Sequence, residues 1–257
     1  MIDAHLHLDK YPHDQLELMI DHWQDAGITQ VVAVSTDLAS SYRTLRLKQE
    51  FPNFIIAAIG YHPEQQPPTD HELNEIFSLL NNERDLIDAI GEIGLPHYSI
   101  AELNEREWQK HLNVFSEFLQ QAKQQQLPVA IHAVHDKAKR ALAVLQHHKI
   151  KAAHFHWLKA DADTLTKMIE AGYFISVTPE VVYRERDQQL ASRVPLDQLL
   201  IETDGPWRFN GPFEGKATTP LFLWDVIHKL AEVKELSVSE VQLQLTANTI
   251  HFYRKEA

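Results

Sequence analysis

Short apolar runs alternate along the chain with longer segments whose apolar residues recur every third or fourth position. Residues 1–8, "MIDAHLHL", have no helical period and read as a strand. Side chains alternate across a strand, which puts Asp3, His5 and His7 on one face and Ile2, Ala4, Leu6 and Leu8 on the other. Residues 14–26 carry Leu16, Ile20 and Trp23 at helical spacing, with Gly27 as a stop. "TQVVAVS" (29–35) is a buried strand, a helix follows at about 38–50, and "FIIAAIG" (54–60) is the next strand. A helix near 70–81 precedes "LIDAIGEIG" (86–94). Residues 104–126 form a long helix with Trp108, Leu112, Phe115, Leu119 and Ala122 on one side, a core stripe. "LPVAIHA" (127–133), "IKAAHFHW" (150–157), "YFISVT" (173–178) and "DQLLIETD" (197–204) complete the strands. Helices fill the gaps to about 147 and over 161–171, ended by Gly172. Two more close the chain, the last with Ser237 and Glu240 as a capping box.

Eight strands alternating with helices predict a parallel sheet. In this length they favour a closed (β/α)8 TIM-type barrel of the α/β class over an open sheet. No linker, low-complexity tract or charge block divides the chain, so one domain over residues 1–257 is expected.

Composition narrows the chemistry. The chain has no cysteine, so a metal would be held by His, Asp or Glu. The formal net charge of −12 argues against a broad basic surface for gripping duplex nucleic acid. It leaves room for single ends entering a metal-lined cleft, where the ions supply positive charge. No apolar run is long enough to span a bilayer, and no basic-then-apolar leader opens the chain. A cytoplasmic protein without membrane contact is expected, and no segment points to an obligate protein partner.

Function in such a barrel sits at the C-terminal ends of the strands. His5 and His7 end strand one, Glu92 strand four, His132 strand five, His156 strand six and Asp204 strand eight. Each follows an apolar run, where an ionisable group is costly unless paired or metal-bound. One such residue reads as a structural polar group; six at the same end read as a metal centre. The donors are nitrogen and oxygen only, which suits divalent Mg, Mn or Zn. Four imidazoles and two carboxylates exceed the needs of one tetrahedral ion, so two divalent ions bridged by a carboxylate are expected, roughly 3.5–4 Å apart. His154 shares a strand face with His156, and parity cannot separate them; His156 is preferred because it lies nearer the strand end.

The stretches "IDAHLHLD", "AAIGYHPE", "AIGEIGL", "PVAIHA", "HWLKAD", "LLIETDGP" and "ANTIHFY" run in order over nearly the whole chain. In this order they resemble the TatD family of metal-dependent hydrolases, within the amidohydrolase-like barrels. The resemblance implies a TIM-type barrel with two divalent ions and deoxyribonuclease activity. It implies that His5, His7 and Asp204 hold one ion, that His132 and His156 hold the other, and that Glu92 bridges them. Two positions depart from the family pattern. "HWLKA" lacks the usual Ser-Gly after the strand-six ligand, and Pro96 stands where Asp commonly follows "GEIGL".

The chemistry expected is hydrolysis by a metal-activated water, with Asp204 orienting that water and taking its proton and Glu92 completing the catalytic pair. Substrate contacts are expected from His62, Trp157, Trp207 and Arg208; the aromatics would stack a base and Arg208 would meet a phosphate. Each has a plainer reading, His62 as a cap before Pro63 and the others as loop packing and surface charge. Glu64 is a ligand contact or a solvated acid. Arg184 and Arg186 form a solvated helix face or reach a phosphate. Asp3 and Asp9 orient strand-one groups. The leading function is phosphodiester hydrolysis at nucleic-acid ends. The alternative is hydrolysis of a small-molecule amide, ester or lactone on the same metals. A non-catalytic metal-binding protein would lack a ligand, and all six are present.

Overall fold

The computed structural model describes residues 1–99 and 103–254. Eight parallel strands lie side by side in chain order: β1 (Ile2–Leu6), β2 (Gln30–Val34), β3 (Ile55–Ile59), β4 (Ala89–Gly94), β5 (Val129–His132), β6 (Ala153–Phe155), β7 (Phe174–Val177) and β8 (Leu199–Ile201). Helices α1 (Leu16–Asp25), α2 (Leu38–Glu50), α3 (Asp70–Asn82), α4 (Glu105–Gln125), α5 (Asp136–His148), α6 (Ala162–Glu170) and α7 (Glu185–Arg193) return the chain between strands. Helices α8 (Leu223–Lys234) and α9 (Val238–Tyr253) follow β8. This is the barrel that the periodicity predicts. The strands are shorter than the apolar runs because each run ends in the loop that forms the barrel mouth. His156 and Asp204 therefore lie just beyond β6 and β8.

Ile2, Ala4, Val32, Val34, Ile56, Ala58, Ala89 and Leu200 fill the barrel interior, and Phe252 and Tyr253 of α9 pack against them. The outward strand residues and the inner helix faces form the larger core. The Ser237–Glu240 capping box is present at the start of α9.

Two strands break the regular alternation. In β1, Asp3 pairs with Val31 and Leu6 with Ala33, so β1 spends one residue more than β2 over that interval. In β4, Ile90 pairs with Val129 and Ile93 with Ile131, again with one extra residue. Such bulges flip side-chain parity. Asp3 is thereby turned to the side of Leu6, away from His5 and His7. This corrects the single polar face predicted for strand one, and Ile2 and Ala4 likewise part from Leu6 and Leu8. The β4 bulge points Glu92 inward.

Asp3 serves the seam instead. Across the gap between β1 and β8, its Oδ1 accepts the Thr203 N–H at 3.0 Å and the His5 N–H at 3.2 Å, and its Oδ2 shares a hydrogen bond of 2.5 Å with the Thr203 hydroxyl. Two backbone bonds continue the closure, Asp204 N–H to His5 C=O at 2.9 Å and His7 N–H to Gly205 C=O at 2.8 Å. Asp9 also stabilises strand-one surroundings, accepting from Ser40 at 2.8 Å and Arg43 at 2.9 Å.

Candidate metal centre

His5, His7, Glu92, His132, His156 and Asp204 meet at the mouth of the barrel, all buried. Glu92 lies in the middle, fully buried, and its two oxygens face different neighbours. Oε2 is 3.2 Å from His5 Nε2 and 3.6 Å from His7 Nε2. Asp204 Oδ1 joins that group at 3.2 Å from His7 Nε2 and 3.5 Å from His5 Nε2. Oε1 is 2.8 Å from His132 Nδ1 and 2.7 Å from His156 Nε2, and those two nitrogens are 3.0 Å apart. Asp204 has a left-handed backbone with φ of 47°, an uncommon state for a residue other than glycine.

The donors fit divalent ions. Buried polar atoms are normally hydrogen-bonded, yet both ring nitrogens of His5, His7 Nδ1, Glu92 Oε2 and Asp204 Oδ1 have no hydrogen-bond partner. Ligands about 2.1 Å from one tetrahedral ion lie ~3.4 Å from each other. The separations in the first group, 3.2 to 3.6 Å, match that spacing.

Charge follows the same division. Burial works to raise the carboxyls of Glu92 and Asp204, but the surrounding imidazoles outweigh it and hold both below their ordinary values. Burial lowers His5. Burial also opposes the charged forms of His132 and His156, but contacts with Glu64, Glu92 and Glu202 overcome it and raise both rings.

His62 also reaches the centre, with Nε2 3.3 Å from Glu92 Oε1. Its Nδ1 accepts the Glu64 N–H at 3.1 Å, so the proton of the neutral ring sits on Nε2. In this arrangement His62 is a donor aimed into the site. The plainer reading, a turn cap, describes only its other nitrogen.

The two strand-six histidines have different neighbours. His156 touches Glu92, whereas His154 lies one layer lower, with Nδ1 2.7 Å from the Tyr253 hydroxyl and Nε2 2.7 Å from Ser176 Oγ. Ser176 donates to Glu202 Oε2 at 2.6 Å, and the Trp157 N–H donates to Glu202 Oε1 at 2.8 Å. Glu202 Oε1 is 3.4 Å from His156 Nδ1. The sequence reading missed Glu202, although its i, i+2 spacing from Asp204 places both on one face of the strand.

Glu64 is neither solvated nor free for a ligand. Its carboxylate accepts the N–H groups of His97, Tyr98 and Ser99 at 2.6, 3.0 and 2.8 Å, and the Ser99 hydroxyl at 2.8 Å. Its Oε1 is also 3.4 Å from His132 Nε2. This segment directly follows Pro96, and no local sequence signal could have joined it to Glu64.

The centre opens into a cleft of about 930 Å³. Trp157 and Trp207 meet edge to face at 5.9 Å, and Trp207 is 60% exposed. Lys10, Lys159, Arg184 and Arg208 line the same cleft. Lys159 lies 4.5 Å from the Trp157 ring. Glu180, unremarked in the sequence, accepts from the Trp157 indole at 3.0 Å, from Arg184 at 2.5 Å and from Arg186 at 3.1 Å. Arg184 thus borders the cleft, and Arg186 is held by Glu180 and Asp187.

Solved structures share this architecture. The chain superimposes on the TatD homologue YjjV of Escherichia coli with a TM-score of 0.88, at 24% identity over 100% of this chain and 98% of that one. A TatD-family hydrolase of Entamoeba histolytica gives 0.84 at 16% identity, over 99% and 98%. These likenesses show the fold, a TIM-type barrel, and the family match and relatives that follow give the class, a metal-dependent hydrolase. A family described as "TatD related DNase" matches residues 2–254, and the chain belongs to it. An uncharacterized metal-dependent hydrolase of Haemophilus influenzae is 38% identical over 254 residues, 99% of each chain. The human deoxyribonuclease TATDN3 is 25% identical over 263 residues, 99% of this chain and 95% of that protein. Among the described residues no helix is long and apolar enough to cross a membrane.

Proposed function

We propose that this protein hydrolyses phosphodiester bonds at nucleic-acid ends, with two divalent ions, Mg, Mn or Zn, held on either side of Glu92. The observation that carries the reading is the division of Glu92: Oε2 faces His5, His7 and Asp204, and Oε1 faces His132 and His156. Family membership and the activity named for human TATDN3 support the nucleic-acid substrate. So does a cleft lined by an exposed tryptophan and by Lys10 and Arg208, with Lys159 and Arg184 beside Glu180.

When bound, divalent ions supply a water of lowered pKa and Lewis-acid stabilisation of phosphoryl oxygens. Asp204 is kept ionised and can hold the proton released by the attacking water. His62 presents Nε2–H as a neutral donor for a phosphoryl oxygen. Trp157 and Trp207 offer faces for a base, and Arg208 and Arg184 offer charge for a neighbouring phosphate.

The test is cleavage of end-labelled single-stranded DNA by metal-stripped protein with Mg, Mn or Zn restored, beside Asp204→Asn. Cleavage should require metal and fall at least ~100-fold in the variant. Protein that binds two ions but cleaves no nucleic acid with any metal would overturn the reading. It would point to a small-molecule amide, ester or lactone.

A further inference from the structure

The two sides of Glu92 are unequal in charge. The His5–His7 side has Asp204 in direct contact as well as a share of Glu92. The His132–His156 side shares Glu92 and otherwise presents imidazoles, those of His132, His156 and His62. A divalent ion there lacks one compensating anion. Two further glutamates stand behind its rings, one for each. His132 turns Nδ1 to Glu92 and Nε2 to Glu64, at 3.4 Å. His156 turns Nε2 to Glu92 and Nδ1 to Glu202, also at 3.4 Å. These contacts are long for hydrogen bonds and act first through charge. On the other side, among the described residues, no carboxylate besides Glu92 and Asp204 lies within 4.0 Å of a ring nitrogen of His5 or His7.

Both glutamates are themselves held in place. Glu202 is fully buried between the Trp157 N–H and the Ser176 hydroxyl. Glu64 sits in a nest of three successive N–H groups, an arrangement that fixes an anion without a cation. A carboxylate on the far nitrogen of an imidazole puts the proton there, frees the near nitrogen as a ligand, and makes that ligand more basic.

We propose that Glu64 and Glu202 are positioning residues that hold the ion on the His132–His156 side, and that this ion depends on them while the ion beside Asp204 does not. The inference rests on the two-ion reading above. It also ties that ion to residues 97–99, whose backbone orients Glu64.

The experiment is a Mn²⁺ titration of metal-stripped protein, with free ion read by electron paramagnetic resonance and bound ion counted by elemental analysis. Parent, Glu64→Gln, Glu202→Gln and Asp9→Asn are compared. Glutamine keeps the size of the side chain and an acceptor oxygen but removes the charge. Parent and Asp9→Asn should bind two ions. In each glutamine variant one dissociation constant should rise about 10–100-fold and the other stay put. Glu64→Gln serves as the arm least exposed to misfolding, since Glu202 is the more deeply buried. Circular dichroism confirms that each variant is folded. Two ions at parental affinity in both variants overturn the inference, and so does an equal loss of both ions from folded variants. A parent that holds a single ion fails earlier, overturning the two-ion reading and this inference with it.

Discussion

Asp3 and Glu92 are both fully buried carboxylates at the barrel mouth, and their neighbours give them opposite characters. Glu92 is ringed by imidazoles and held ionised. Asp3 has no cation in contact; burial pushes it up to about 8, against the pull of its bonds from Thr203 and His5. At neutral pH Asp3 is therefore largely a neutral acid, and asparagine imitates it. Asp3→Asn should leave stability near the parent, whereas Asp3→Ala strands the donors of Thr203 and His5 in the seam. Each unsatisfied buried group costs ~1–3 kcal/mol, so a loss of about 3 kcal/mol or more is expected for alanine. Urea denaturation of the two variants measures the difference, and equal losses would contradict the role given to the seam.

At the scale of elements, the two bulges place the centre. Gly94 ends β4 with φ of 154°, and a Cβ there would fall 1.9 Å from the His132 carbonyl oxygen. Gly94→Ala must push β4 away from β5, and with it Glu92 from His132. A destabilisation of at least ~3 kcal/mol in urea is expected, with weakened metal binding. Helix α4 carries a second test. His111 is buried beside Phe115 and Phe118, its Nε2 without a partner, and burial holds its pKa below the ordinary value. Below that ordinary value, about 6.5, the unfolded chain takes a proton that the folded one refuses, so stability falls as pH falls. His111→Leu removes this penalty. Its melting temperature should gain on the parent as pH drops from about 7.5 to 5.5; a constant gap would remove His111 as the cause. The same elements mark what the sequence could tell. Apolar periodicity gave eight strands, and acids and imidazoles after apolar runs marked the six residues that meet. Parity misplaced Asp3 because it assumes a regular register, and a bulge has no signature in "IDAHLHL". Glu64 was unreadable because its partners lie on another loop, and so was the bond from the Trp157 indole that turns Glu180 to the cleft. His111 was hidden inside an otherwise apolar helix stripe.

Over the whole molecule, the net charge of −12 and the four cations of the cleft set how a polyanion is met. Each phosphate contact on a single strand adds about −0.7 to the slope of log affinity against log salt, so four would give about −3. Anisotropy titrations of labelled single-stranded DNA should find a slope no steeper than that, shallower by about 0.7 in Arg208→Gln. A much steeper slope would place binding on some other surface.

The seam has a consequence for synthesis. Asp3 and Thr203 are partners 200 positions apart, and Asp204, next along the chain, closes on His7 beside them. Joining ends so distant is slow and cannot begin before both exist. A chain still on the ribosome, extended only through β7, has His5, His7, Glu92, His132 and His156 but neither the Asp204 carboxylate nor the seam bonds of Thr203. The cluster at the barrel mouth is thus complete only after the growing polypeptide has passed Asp204.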